Sequence, residues 1–281
     1  MASTLGKEFF RLFLFGFIVG FFVTYVAVSY HDKPVSMDFD IDMTDKHHLG
    51  YVAGLNFSVY TKVKVLCLVM STPTTINTYG KSVKETWGKR CNRLLIIEQF
   101  GLFTAWQYVL NYHMNDTDWF LRINDDNFVI LENLRKFLSR RNPDEPHYFG
   151  RRLKGGYCQG NAGYVLSRET LRRFGSLLRD PRKCTIRGEK NPDMAVGRCL
   201  AGGEIYPSDT RDARGRQMFH PVSPGKILVP NILKQDFWLK NDDYYPFKEG
   251  PECCSDNSIT YRVLSPLSMY VMEYFVYHLM P

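Results

Sequence analysis

Between Val63 and Ile123 the chain alternates short apolar runs with helix-period stretches, and this alternation limits the fold more than any other feature. Val63 to Met70 (VKVLCLVM) is rich in β-branched residues, the profile of a buried strand. Ser71-Thr72-Pro73-Thr74-Thr75 breaks it, and Thr78 to Arg90, with Val83 and Trp87 four apart, suits a helix. Leu94 to Ile97 predicts a second strand, Phe103 to His113 a second helix, and Asp118 to Ile123 a third strand. Leu131 to Arg140 is amphipathic and ends at Asn142-Pro143. Strand–helix–strand–helix–strand predicts an α/β layer with a mainly parallel sheet flanked by helices. After Gly150 the pattern turns irregular and rich in Gly and aromatics, which fits a binding half.

A second constraint lies upstream. Leu12 to Tyr30 is 19 residues without a charge. As a helix it would span about 28 Å, close to the hydrocarbon thickness of a bilayer. A cleaved signal peptide has a shorter apolar run, although Ala27-Val28-Ser29 faintly resembles a cleavage site. Lys7 and Arg11 precede the segment, and the aspartates from Asp32 to Asp45 follow it with only Lys33 among them. The positive-inside rule then makes 1–11 a cytosolic tail, 12–30 a signal-anchor and 31–61 a lumenal stem. Residues 62–281 are the expected lumenal domain, in a single-pass type II topology. Asn56-Phe57-Ser58 and Asn115-Asp116-Thr117 are glycosylation acceptors by pattern, which agrees with a lumenal address.

Charge excludes one class of partner. The formal net charge is +7 with a pI near 9.0, but the basic residues are scattered rather than gathered on one element. Nucleic-acid binding is therefore a poor reading. Acidic glycans or nucleotide sugars fit a basic lumenal surface better.

The segment from Asp118 to Ile130 (DWFLRINDDNFVI) concentrates the chemistry. A buried strand that runs into carboxylates at its C-terminal end lies where α/β sheets bind ligands. Carboxylate oxygens there suit a hard divalent ion, which in turn holds a diphosphate. The plain alternative is a polar turn between strand and helix.

This segment is one of several that carry a resemblance. Trp87 with Arg90-Cys91-Asn92, the WFLRINDDNFVIL run, and Tyr148-Phe149-Gly150-Arg151-Arg152 are similar to the core 1 β1,3-galactosyltransferases, a family of inverting glycosyltransferases. So are Gly160-Asn161-Ala162-Gly163-Tyr164-Val165-Leu166-Ser167, Phe219-His220-Pro221, Tyr244-Tyr245-Pro246 and the stretch Glu249 to Asp256. The similarity runs in order from about Val63 to Pro281.

The resemblance implies a GT-A fold in a Golgi-pathway membrane enzyme, with a tendency to form homodimers. It implies transfer of galactose from UDP-galactose, with inversion and with Mn²⁺, to the 3-hydroxyl of GalNAc on Ser or Thr of glycoproteins. The family's Asp-X-Asp falls on Asn124-Asp125-Asp126. Asp126 is then a metal ligand, His220 the second, and Asn124 and Asp125 contact the nucleotide along with Met70. A lone His beside a Pro is also a common packing residue. Asp193 becomes the candidate base, although Asn191-Pro192-Asp193 equally reads as a cap and first turn of a helix. Trp238, Tyr244 and Tyr245 are candidates for an aromatic acceptor platform, or for core packing. Cys67 with Cys91, Cys184 with Cys199, and Cys253 with Cys254 are the implied disulfides, leaving Cys158 free.

Three departures from the family pattern stand out. Asn124 replaces the first acid of the metal motif, and Pro192 replaces the acid before Asp193. Glu98-Gln99-Phe100 passes directly to Gly101-Leu102-Phe103, where relatives carry a longer stretch that encloses the UDP. They motivate an alternative reading, a catalytically inactive member that binds glycoprotein or assists an active partner.

Overall fold

The structure is a computed structural model and describes residues 57–98, 101–184, 190–233 and 237–279. The anchor Leu12–Tyr30, nearly all of the stem and Asn56 lie outside these residues. Among the described residues no helix is long and apolar enough to cross a membrane.

Strands β1 (Val65–Met70), β2 (Arg93–Ile97) and β3 (Trp119–Asn124) form where the apolar runs predict them. Between β2 and β3 lies helix α1 (Leu102–Tyr112). After β3 come a three-residue strand β4 (Asn127–Val129), helix α2 (Leu131–Leu138), and strands β5 (Tyr148–Gly150) and β6 (Tyr164–Ser167). Helices α3 (Arg168–Leu177) and α4 (Pro192–Ala201) follow, then β7 (Phe219–His220), β8 (Thr260–Arg262) and α5 (Pro266–Tyr277).

The larger sheet has the order β2-β1-β3-β6-β5. β1 pairs in parallel with β2 and β3, whereas β6 runs antiparallel to both β3 and β5. The sheet is therefore mixed rather than mainly parallel. The physical reason is the connection from β5 to β6: residues 151–163 contain no crossover helix, and a chain that returns without one pairs antiparallel.

Both faces of this sheet are covered, which is why its first strands read as continuous apolar runs. Val65, Cys67 and Val69 point into one core with Leu131, Leu134 and Met269. Leu66 and Leu68 point into the other, with Trp106, Val109, Phe174 and Leu200. The expected helix over Thr78–Arg90 is instead three short pieces: a π-turn Ile76–Gly80, an α-helical turn Lys81–Glu85 and a 3-10 turn Trp87–Arg90. Thr86 breaks it, with φ −115° and ψ −117°. Gly88 permits the close packing that results, because a Cβ there would lie 2.6 Å from the Val83 carbonyl oxygen.

The cysteines Cys67–Cys91, Cys184–Cys199 and Cys253–Cys254 are joined, and Cys158 is a buried free thiol. A smaller sheet, β4-β8-β7, stands beyond the end of β3. Its register sets Asn127 opposite Arg262 and His220 opposite Tyr261. Two sheets thus meet at the Asn124-Asp125-Asp126 corner.

Candidate active site

Parallel pairing brings Met70, Ile97 and Asn124 level at one sheet edge. The turn after β3 then divides its two acids. Asp125 folds inward, where its Oδ2 accepts hydrogen bonds from Ser71 Oγ and Thr75 Oγ1, each at 2.6 Å. Its backbone N–H donates to the Met70 carbonyl at 3.0 Å. Burial raises the Asp125 carboxyl above the usual carboxylate range, and these hydroxyls pull it back down. Asp125 therefore ties the loop after β1 to the loop after β3. The polar-turn reading describes this residue well.

Asp126 turns the other way, into a cavity of about 600 Å³ that Asn161, Lys226, Trp238 and Arg262 also line. Its Oδ2 accepts from Arg262 Nε at 2.7 Å. Its Oδ1 is buried and has no hydrogen-bond partner among the described residues. Asn161 is held by its neighbours: Asn124 Nδ2 donates to its side-chain oxygen at 3.0 Å, and Asn127 Nδ2 to its backbone carbonyl at 2.8 Å. Asn124 thus serves as a donor to Asn161 in this contact.

His220 is fully buried on β7 and does not line this cavity. Its ring stacks on Tyr261 with centroids 4.5 Å apart. Nε2 hydrogen-bonds Ser258 Oγ at 3.1 Å, and Nδ1 lies 3.8 Å from Cys254 Sγ. Burial, with the charge of Arg151 nearby, holds the imidazole well below its ordinary pKa, so it is neutral. Among the described residues no group of three or more His, Cys, Asp or Glu is placed to hold a metal ion. Asp126 lines the cavity and His220 does not. One carboxylate oxygen is occupied by a guanidinium and the imidazole is committed elsewhere, so these residues do not fit a bound divalent ion.

Asp193 occupies the first turn of α4. The helix cap is Asn191, whose Oδ1 accepts from the backbone N–H of Asp193 at 3.1 Å and of Met194 at 3.3 Å, with Pro192 in the first turn. The Asp193 carboxylate is left for other contacts, and the residue as a whole is buried. It lies 3.4 Å from Arg122 Nε, and burial raises its pKa while Arg122 and a hydrogen bond from Tyr164 lower it. Arg122 Nη1 also donates to the Gly160 carbonyl at 2.6 Å. A Cβ on Gly160 would sit 1.8 Å from Asp193 Oδ2, so only glycine lets this carboxylate approach the Gly160-Asn161 turn. Asp193 is thus one residue removed from the cavity wall.

The three candidate acceptor aromatics separate. Trp238 lines the cavity and is 38% exposed. Tyr244 and Tyr245 do not line it. Their rings pack 5.0 Å apart under two arginines, Arg152 over Tyr244 at 3.7 Å and Arg211 over Tyr245 at 3.4 Å. Asn115 is exposed, as a glycosylation acceptor must be.

A Fringe-like family pattern matches residues 70–204. Over 94% of its length the chain is 35% identical to glycoprotein-N-acetylgalactosamine 3-beta-galactosyltransferase 1 of Xenopus laevis, covering 82% of that protein. The chain belongs to the core 1 β1,3-galactosyltransferase branch of the Fringe-like family. More distant glycosyltransferases match shorter stretches. Human chondroitin sulfate synthase 3 is 28% identical over 35% of this chain and 12% of its own. A mouse beta-1,3-glucosyltransferase is 28% identical over 46% of this chain and 25% of its own. Within this Fringe-like member, the residues that sequence reasoning passed over are Arg262, Lys226 and Arg122. Asn161 lay inside a quoted motif without a role. No local signal marks Arg262, whose contact with Asp126 spans 136 residues of chain.

Proposed function

We propose that this chain is an inverting galactosyltransferase of GT-A architecture, moving galactose from UDP-galactose to the 3-hydroxyl of GalNAc on Ser or Thr of glycoproteins. It works as a type II Golgi membrane enzyme, anchored by Leu12–Tyr30. The observation that carries the reading is the placement of Asp126, Asn161 and Trp238 on one cavity, in a chain aligned along 94% of its length with a galactosyltransferase.

In this reading the acceptor oxygen attacks the anomeric carbon from the face opposite the diphosphate. The carbon–oxygen bond to the diphosphate breaks, and UDP leaves with the electron pair. Asp193 takes the hydroxyl proton, a task favoured by a carboxylate whose pKa burial has raised. Trp238 offers a flat apolar face against the sugar. The Mn²⁺ implied by the resemblance takes no part in this scheme, because the donor set does not fit it.

The inactive, partner-binding reading draws support from the same Arg262–Asp126 contact, which places a guanidinium on one oxygen of the carboxylate. One experiment separates the two. The full-length protein is incubated with UDP-galactose and a GalNAc-α-threonine peptide, and the product is read by mass and by the anomeric coupling in NMR. A β1,3-linked hexose supports the enzyme. A folded protein that binds the glycopeptide and never extends it supports the other reading.

A further inference from the structure

We infer that Arg262 provides, as a fixed side-chain cation, the positive charge that holds the donor's diphosphate, so that this chain binds a nucleoside diphosphate without a divalent ion. The inference rests on the reading that this cavity takes the nucleotide sugar.

The cavity wall has one carboxylate, Asp126, and two cations, Lys226 and Arg262. It is therefore already biased toward an anion before any ion is added. A site that holds a divalent ion against a diphosphate needs one or two carboxylates beside the phosphate oxygens, and the single carboxylate on this wall is already paired with Arg262.

Arg262 is placed by the sheet and not by a flexible loop. Its strand β8 pairs with β4 so that Arg262 lies opposite Asn127, the residue next to Asp126. The Asp126 backbone carbonyl accepts from Val263 N at 2.8 Å, which locks the same register from the other side. Within that frame Nε donates to Asp126 Oδ2 at 2.7 Å. The two terminal nitrogens make no hydrogen bond among the described residues, although the side chain is only 47% exposed and borders the cavity. A guanidinium anchored through Nε keeps its terminal N–H groups for a second partner, and its planar fork matches phosphate oxygens.

A divalent ion at Asp126 would have to share one carboxylate with that guanidinium at contact distance. The repulsion between the two cations opposes this arrangement. The histidine that the resemblance nominates as co-ligand offers no relief, since His220 is buried, is not among the residues lining the cavity, and has its ring engaged by Ser258 and Tyr261. The charge that develops on the departing diphosphate is thus met by Arg262, with Lys226 as the second cation on the same wall.

The test uses the full chain in detergent and UDP as the probe, measured by calorimetry in EDTA and again in Mn²⁺. UDP is expected to bind in EDTA about as tightly as in Mn²⁺. Arg262→Ala is expected to weaken binding roughly tenfold to a hundredfold, the worth of a charge-assisted hydrogen-bonded contact. Arg262→Lys should recover part of that loss. Because Arg262 is partly exposed, the variants should melt with the wild type, and this is checked in the same samples. UDP binding that appears only with Mn²⁺ overturns the inference and leaves the donor reading intact. An Ala variant that binds like wild type, or a Lys variant no better than Ala, overturns it as well. Absence of UDP binding in both buffers overturns both readings.

Discussion

Arg262 Nε and Asp126 Oδ2 meet at 2.7 Å, across 136 residues of chain. The contact joins the last acid of the Asn124-Asp125-Asp126 corner to the strand that follows the Cys253-Cys254 pair. It makes the corner's outward-facing charge a carboxylate–guanidinium pair. Every step of the proposed chemistry at the diphosphate depends on that pair, and Arg262→Ala leaves Asp126 facing the donor alone.

Gly160 is the second point of vulnerability. Its missing side chain leaves room for the Asp193 carboxylate, and a Cβ there would lie 1.8 Å from Oδ2. Gly160→Ala should destabilise the fold by roughly 1–3 kcal/mol, the usual cost of overpacking a filled site. It should also abolish transfer by displacing the base. A thermal melt and a transfer assay on the same preparation check both effects.

The pH profile should report Asp193. Burial raises its carboxyl above the ordinary range, and Arg122 and Tyr164 lower it only in part. A base must be ionised, so transfer should fall as pH drops through this raised value. The acid limb then stands higher than an exposed aspartate, near 3.9, would give. Arg122→Met removes one of the lowering causes and should move the limb to still higher pH. The effect on stability has the opposite sign. A carboxyl whose folded pKa is raised contributes stability at pH below its unfolded value, and that contribution is lost as pH rises through the folded one. An acid limb that stays fixed in Arg122→Met would contradict the role given to Asp193.

Trp238 and the Tyr244–Tyr245 pair should behave differently. Trp238 borders the cavity, so Trp238→Ala should raise the acceptor KM about fivefold, the value of one aromatic contact near 1 kcal/mol. Tyr244→Ala removes a ring packed under Arg152, outside the cavity, and should leave the acceptor KM near wild type. Steady-state kinetics with a GalNAc-threonine peptide distinguish them.

Cys158 should be chemically silent in the native protein. Of the seven cysteines six are bridged, and the seventh is fully buried with its thiol pushed up by burial. A maleimide should label no native thiol and one per chain after unfolding without reductant.

The parts of the fold that local pattern controls were legible in the sequence. VLCLVM, RLLII and WFLRIN declare themselves because both faces of those strands are buried. The antiparallel strands β5 and β6 were not, since three- and four-residue strands among Gly and aromatics leave no period to read. The break at Thr86 escaped for another reason, as it follows from packing around Gly88 rather than from propensity. At the site, Asp126 and Trp238, both candidates in the sequence, line one cavity, and Asp193 lies against Gly160 beside it. Arg262 was not legible, because its partner is fixed by the register of β4 and β8, a relation between distant segments. His220 carried a role by resemblance, whereas its ring is taken up by Ser258 and Tyr261.

The most direct measurement is the rate of galactose transfer by the full-length protein from UDP-galactose to a GalNAc-threonine peptide, taken in EDTA and again in Mn²⁺. The account predicts a β1,3-linked product at similar rates in both, with Arg262→Ala nearly inactive in each. A wild-type rate that vanishes in EDTA and returns with Mn²⁺ would contradict it.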